Sequence, residues 1–560
     1  MAFQMSPGVL VTERDLTNIV PAVSTSVGAF AGAFTWGPVL DPVLITSENE
    51  LVSTFGKPKD GNFTSFLTAA NFLAYSNSLY VCRAEGAAAR NAVVSGTALA
   101  INNRDIYDVS YSSGAATVGE FAAKYPGSIG NSLRVSMADG SAYAAWAYKD
   151  EFDGAPNTSQ YVDSAGGSND ELHIIVIDVL GLITGVKNTI LEKFEYVSKA
   201  SDAKRSDGTK NYYKDVLNDT SKFVYWMDHP LAGSNWGTLA TTTFDDLATA
   251  VSATLIGGVD DLSPSDGNLQ SAFILFNNAE VYDISFILTG ALNPTNAKYV
   301  VDNIASVRKD CVAFLSPATA SGGVITGATT ASILTDTLDY RTSALNVDSS
   351  YAVLDSGWKY QYDRYNDKYR WVPLNGDIAG LCARTDYTND AWWSPGGLNR
   401  GQIKNVVKLS FSPNQAQRDQ LYKVGVNPVV SFPGQGTILY GDKTLLSKPS
   451  AFDRINVRRL FIVLEKAIAT AAKYTLFEFN DSFTRAQFRS MVEPFLRDVQ
   501  GRRGIIDFRV VCDDTNNTGE VIDRNEFICD IYIKPSRSIN FITLSFIAAR
   551  TAVSFDEIGG

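Results

Sequence analysis

Strand-like and helix-like segments alternate twice along this chain, and a long stretch without that alternation separates the two runs. Over 24–86, STSVGAFAGAF reads as a small-residue strand and WGPVLDPVLIT as a turn with a second strand. SENELVSTFG opens with a Ser cap and a Glu in the first turn of a short helix, FTSFLTAANFLAYS repeats apolar residues at helical spacing, and SLYVCRA returns as a strand. After LIGGVDDL (255–262), VYDISFILTG, TNAKYVVDNIASVRKD and CVAFLSP repeat the strand–helix–strand order. Strands joined through a helix can lie side by side only by a crossover, so both runs point to a parallel sheet. The intervening 87–254 is different. Short Gly/Ser/Thr-rich runs such as SGTALA, YSSGAATVG and GSNWGTLATTTF surround the strand candidates SLRVSM, ELHIIVIDVL and SKFVYWM. The expectation is a mixed α+β, α/β multidomain chain: a middle α/β domain from 23–86 plus 255–400, carrying 87–254 as an outer, mostly β insertion.

The last part of the chain predicts a further core over 401–536. FDRINVRRLFIVLEKAIATAAKY places Leu460, Phe461, Leu464, Ala467, Ile468 and Ala471 on one helical stripe, with Arg458, Arg459 and Lys466 largely off it. TRAQFRSMVEPFLRDVQ sets Phe488, Met491, Val492 and Phe495 at helical spacing, and IIDFRVVCDDTNNTGEVIDRNEFICDIYIKP reads as strand, polar turn, strand. Both termini are β-prone with no partner nearby. SPGVLVTERDLTNIVPAVSTS, with Val9, Val11 and Ile19, and SINFITLSFIAARTAVSFDEIGG, with Ile539, Phe541 and Leu544, look like extended segments over 1–22 and 537–560. Each is either an edge strand of its own domain or a strand that adds to another chain.

At 560 residues the chain exceeds what one core supports. Its net charge of −12 argues against coating nucleic acid, because neutralising phosphates needs a basic surface. Between Asp453 and Arg509, however, 11 Lys/Arg face 7 Asp/Glu, a net of +4 that leaves −16 elsewhere. A basic segment in an acidic molecule calls for an acidic partner. The five cysteines form no CxxC pair, which suits free thiols in a reducing cytosol. No signal peptide is expected from MAFQMSPGVLVTERD. The charge-free runs 16–40 and 311–335 are broken by Pro, Gly, Ser and Thr, so no membrane insertion is expected.

Candidate chemistry is sparse. Histidine occurs twice, as His173 inside a strand and His229 before a proline, with neither nucleophile nor metal-ligand spacing around them. GTILYGDKT (436–444) departs from a phosphate loop because Asp442 sits where phosphate would lie. DDTNNTGEVIDRNE (513–526) begins like a calcium loop, yet its twelfth position is Asn525 instead of a bidentate Glu. The pairs Asp260–Asp261 and Asp513–Asp514 are expected among 60 acidic residues. No catalytic residue, cofactor or metal is assigned, and the expectation is a protein that is not an enzyme.

One segment stands out: WKYQYDRYNDKYRWVPLNGDIAGLCARTD (358–386). Trp358, Tyr360 and Tyr362 lie two apart, and Tyr369–Trp371 repeats the spacing after DRYNDK, as in a hairpin with aromatic cross-strand pairs followed by a Pro-bounded loop. Sugars or bases could stack there. Asp363 and Asp367 offset the basic charge, which favours a structural or protein-contact role.

That segment, with SPGGLNRGQI, LYGDKT, FDRINVRRLF, RVVCDDTNNTGEVIDRNEF and IKPSRSINFITLSF, resembles the tail sheath proteins of contractile-tailed phages, nearest the T-even-like group. SPGVLVTERD, FTWGPVLDP, LVSTFGKP and AKYPGSIGNSLRV carry the same resemblance towards the start. Larger members have an extra exposed domain ahead of the AKYPG-type motif, for which this chain has little room. The resemblance implies a structural subunit of a contractile sheath that polymerises helically around a tail tube. Stored conformational energy would then drive contraction and push the tube through the host envelope. It implies partners: further copies of itself in stacked, hexameric rings, the tail tube protein, and baseplate and tail terminator proteins. It implies no direct nucleic-acid contact, a place in the virion tail and assembly in the host cytoplasm. The terminal segments become intersubunit arms, and Arg458, Arg459, Lys466, Arg502 and Arg503 become candidates for facing the tube. A carbohydrate-binding virion surface protein, using 87–254 and the aromatic hairpin, is the alternative, and a glycosidase a remote third.

Overall fold

Period-two alternation sorts the side chains of the larger sheet into two unlike faces. A computed structural model describes residues 24–540, so Val9, Val11, Ile19, Phe541 and Leu544 lie outside the described residues. The chain divides into two units, one of 22–391 with 395–466 and one of 1–21, 392–394 and 467–560.

The first unit is built on a seven-stranded sheet in the order Val426–Asn427, Ala352–Asp355, Val312–Leu315, Phe286–Leu288, Gly28–Ala33, Leu79–Ala84, Val43–Ile45. All neighbours are parallel except the last pair, which is antiparallel. Strands from before 87 and after 254 meet directly, with Gly28 opposite both Leu79 and Phe286. One face carries Ala29, Ala31, Cys82, Ile287, Ala313 and Leu354 under Asp266–Phe273, Pro294–Val300 and Thr330–Asp339. The opposite face carries Phe30, Val81, Phe286, Leu288, Phe314 and Val353 under Glu48–Phe55, Phe63–Leu73 and Asn375–Thr388. Burial on both faces is what a parallel sheet requires. The helix Glu48–Phe55 starts as its sequence predicts: Ser47 accepts from the Glu50 N–H, and the Glu50 carboxylate accepts from the Thr46 N–H at 2.8 Å.

Two expectations are corrected here. The boundary at 400/401 moves, because Val426–Asn427 completes the sheet and 395–466 belong to the same unit. The Pro-bounded loop after the aromatic hairpin is the helix Asn375–Thr388. Its glycines are contact points: a Cβ on Gly376 would stand 2.5 Å from the Thr68 carbonyl oxygen, and one on Gly380 2.6 Å from the Tyr75 ring. With no side chain at either position, the helix lies directly against Phe63–Leu73.

The region 87–254 has its own core. A four-stranded antiparallel sheet runs Thr189–Ser198, Glu171–Asp178, Leu133–Asp139, Val251–Thr254, and Phe121–Ala123 pairs with Val224–Trp226. At its root the chain crosses twice, and Arg90 and Val259 exchange N–H···O bonds at 3.0 Å in both directions. The fully buried Arg83 guanidinium donates to the Gly37 and Pro126 carbonyls and to Glu85, while Asp260 accepts from Lys59 and Ser128. Burial pushes the Glu85 carboxyl up to about 7.

In the second unit, the helix Ser482–Gly501 starts on Asp481, which accepts from the Thr484 N–H at 2.8 Å. It buries Phe488, Met491, Val492, Leu496 and Val499, with Phe495 only half-buried. Ile505–Val511 and Asp530–Pro535 then form an antiparallel pair. Their connection is more than a polar turn, since it contains the helix Gly519–Asp523.

Candidate assembly surfaces

The aromatic hairpin answers the question its sequence raises. Trp358–Asp363 and Lys368–Pro373 pair with Tyr360 opposite Trp371 and Tyr362 opposite Tyr369, and Lys408–Leu409 adds a third strand. The aromatic face is the outer one. Tyr360 stacks on Tyr369 at 5.7 Å and meets Trp371 at 4.8 Å, with Lys408 Nζ 4.9 Å from the Tyr360 ring, while Tyr362 and Tyr369 are about half exposed. The inward face is polar. Lys359 Nζ donates to Asp377 Oδ1 at 2.9 Å and to the Lys404 carbonyl at 3.0 Å, Gln361 accepts from Asn71 at 3.0 Å, and Asp363 pairs with Arg370 at 2.9 Å. Lys359, Gln361 and Asp363 are all buried, so each needs the partner it has.

Asp355 accepts from the Ser316 hydroxyl at 2.6 Å and the Gly357 N–H at 2.9 Å, and its complete burial pushes its carboxyl up. Both histidines serve the outer core. The Tyr196 N–H donates to His173 Nδ1 at 3.1 Å, Nε2 meets the Gly154 carbonyl at 3.0 Å, and the ring stacks on Phe152 at 4.2 Å. His229 Nδ1 bonds the Tyr213 hydroxyl, and burial lowers the basicity of both rings. Among the described residues no group of three or more His, Cys, Asp or Glu is placed to hold a metal, and no helix is long and apolar enough to cross a membrane.

The five basic candidates separate sharply. Arg458 and Arg459 are not surface cations, which corrects their assignment. Both are 4% exposed: Arg459 pairs with Asp386, also buried, and Arg458 packs over the Tyr351 and Phe452 rings at 4.4 and 4.3 Å and pairs with Glu465. A position off the apolar stripe of a helix faces solvent only where no other element covers it. Here the helix Ile455–Ala472 begins inside the unit, so buried charge pairing takes the place of water. Lys466 is mostly covered and pairs with Asp283. Arg502 and Arg503 are exposed, with Arg502 3.2 Å from Asp498.

The second hairpin, Ile505–Val511 with Asp530–Pro535, is a different kind of object. Among the described residues it pairs with no third strand. Ile506 and Tyr532 are 64% and 60% exposed, and Ile539, in the stretch that follows, is 82% exposed. Its connection is internally satisfied. Asn517, 2% exposed, accepts from the Ile528 N–H at 2.9 Å and donates to the Ile528 carbonyl, and Asp514 pairs with Arg485. Of the side chains that mimic a calcium loop, Asp514 is engaged by Arg485 of the helix Ser482–Gly501, and Asn516 Nδ2 donates to the Val511 carbonyl at 2.8 Å.

Comparison with known proteins agrees with this architecture. Residues 277–445 match the phage tail sheath protein central domain, 447–548 the phage tail sheath C-terminal domain, and 25–84 the N-terminal region of tail sheath protein Gp18 domain III. The chain is similar to the tail sheath protein of Vibrio phage KVP40, 34% identical over 99% of this chain and 100% of that one. It is equally similar to the tail sheath protein of Enterobacteria phage T4, 34% identical over 99% of each chain. In fold it resembles the helical sheath of the anti-feeding prophage in its contracted state, with a TM-score of 0.50 at 13% identity over 98% of this chain and all of that one. No comparison supports a carbohydrate-binding protein. The open hairpin, the closed sheet unit and full-length identity to two relatives therefore place one conclusion on the chain: it belongs to the phage tail sheath proteins, in their T-even-like group.

Proposed function

We propose that this chain polymerises head to tail into a helical sheath of stacked, hexameric rings around a tail tube, and contracts to drive that tube through a host envelope. The observation that carries the reading is the unpaired hairpin Ile505–Val511/Asp530–Pro535 in a chain whose two ends are β-prone. Each open edge offers a row of N–H and C=O groups, and each net backbone hydrogen bond made there contributes about 0.5–1.5 kcal/mol. Arms 1–22 and 537–560, through Val9, Val11, Ile19, Ile539, Phe541 and Leu544, add strands to the hairpins of neighbouring subunits. A contact of one surface with a different one, repeated without closure, produces a helix.

Contraction needs no chemical step in this scheme. The assembled sheath is held kinetically, subunits move as near-rigid bodies, and the arms keep the lattice connected while new burial between subunits supplies the free energy. No catalytic step is assigned to the chain in this reading, and both histidines are held within the outer core. Arg502 and Arg503 face the tube, whose complementary surface is acidic, whereas Arg459 is committed to Asp386. Baseplate and terminator proteins bound the two ends of the sheath, which assembles in the host cytoplasm and becomes part of the virion tail.

Hydrogen–deuterium exchange on free and assembled protein tests the arm contact. The edge amides of 505–511 and 530–535 should exchange freely in the monomer and become protected in the tube. Equal exchange in both states contradicts strand addition. Arg502→Glu with Arg503→Glu should weaken co-assembly on purified tubes and leave the monomer's melting unchanged.

A further inference from the structure

The open hairpin also carries a pair of thiols that assembly does not use. Its register runs Phe508↔Ile533, Arg509↔Tyr532, Val510↔Ile531, Val511↔Asp530. One step further sets Cys512 opposite Cys529, and each thiol shifts the acidity of the other. Directly opposed residues of an antiparallel pair have Cα atoms about 4.5–5.5 Å apart, inside the roughly 4.4–6.8 Å that a disulfide spans. Opposed positions of this kind are spaced for a disulfide.

Both are free cysteines; Cys512 is buried at 3% exposure, and Cys529 alone of the five is only half-buried. Cys82, Cys311 and Cys382 are completely buried, two in the sheet unit's core on one face and one in the helix Asn375–Thr388. Burial pushes Cys311 and Cys382 up to about 12, which leaves almost no thiolate on either. Cys529, by contrast, is half-buried, within the half-buried run 527–530 that follows the exposed stretch 522–526. The neighbouring Cys529 thiol holds the Cys512 thiol below its usual range, with Arg485 and Arg489 acting in the same direction, while Cys512 pushes the Cys529 thiol up. A thiolate beside a second thiol is the arrangement that exchanges with disulfides.

We propose that Cys512 and Cys529 form a reversible disulfide that closes the base of the 513–528 connection when the protein meets a small-molecule disulfide. Cys512, as its thiolate, takes the Cys529 proton while the more exposed Cys529 sulfur attacks one sulfur of that reagent and expels one thiolate. Cys512 then gives that proton to the expelled thiolate and attacks the Cys529 sulfur, expelling the second thiolate, which takes its proton from water. In sum, two protein thiols are oxidised to one disulfide, and the reagent is reduced to two thiols. The bond fixes the register of the hairpin and covalently closes the loop that holds Asn517 and Gly519–Asp523. This chemistry is independent of the assembly reading, since it requires only the pairing of one chain with itself. A reducing cytosol keeps the pair open, and oxidising surroundings close it.

The test is to expose the full chain to oxidised glutathione at neutral pH, then count thiols after denaturation and map peptides without reduction. Free thiols should fall from five to three, with one peptide linking Cys512 to Cys529, and dithiothreitol should restore all five. Cys512→Ser should instead leave Cys529 as a mixed disulfide with glutathione. Five surviving thiols, separate glutathione adducts on both cysteines without a link, or equal loss at Cys82, Cys311 and Cys382 would each overturn the proposal. If the serine variant does not fold, the map of the unaltered chain decides alone.

Discussion

Two antiparallel hairpins in this chain use similar strands and end in opposite conditions. Trp358–Asp363/Lys368–Pro373 has a third strand, a buried ionic face and stacked rings. Ile505–Val511/Asp530–Pro535 has none of the three among the described residues, and it leaves Ile506 and Tyr532 exposed. The first is finished inside the chain, so its free energy belongs to folding. The second is open among the described residues, and in the proposed reading its further pairing belongs to association. A subunit that must stay intact while its lattice rearranges needs both kinds of element, kept apart in sequence.

The contrast can be broken most severely at Lys359. Lys359→Met leaves Asp377 buried without its cation, and should cost about 3–5 kcal/mol in denaturant unfolding. Pairing it with Asp377→Leu should recover much of that loss, and no recovery would mean the pair is not the source of the cost. Gly376→Ala should cost roughly 1–3 kcal/mol, because its Cβ meets backbone, whereas Gly519→Ala, with open space around it, should cost nothing measurable by thermal melting.

A titration sharpens the same contrast. The Glu85 carboxyl rises from 4.5 to about 7 in the folded chain, so between those values the folded state holds a proton that the unfolded state has lost. Stability of the closed unit should therefore fall as pH rises from about 4.5 to about 7, by roughly 1–3 kcal/mol, and level off above. Glu85→Gln should flatten that slope in unfolding curves taken across the range. The smallest monomer effect belongs to the open hairpin. Ile506→Ser and Tyr532→Ser should change unfolding by no more than about 0.5 kcal/mol, yet reduce assembly measured by sedimentation.

Much of the fold was legible because its signals are periodic. Every strand candidate around the 87–254 region appears in the sheets, since alternation survives whatever it packs against. The helix Asn375–Thr388 was not legible, because Gly376 and Gly380 look like turn residues until a second helix is known to lie against them. Val426–Asn427 is too short to announce itself. Arg458 and Arg459 were misplaced for a related reason: a helical wheel shows which side is apolar, but it cannot show that Asp386 and the rings of Tyr351 and Phe452 cover the other side. The thiol pair was hidden by its loop. A cysteine just past one strand and another just before the next was the available signal, but the register that joins them depends on a connection containing its own helix.

The central claim is that the unfinished hairpin is completed by a neighbour's arm. Negative-stain electron microscopy of the full chain and of the same chain lacking residues 1–22 tests it most directly. The account predicts long hollow helical tubes from the full chain and folded, unassembled particles after the deletion. Tubes of the same length and order from both proteins would contradict it.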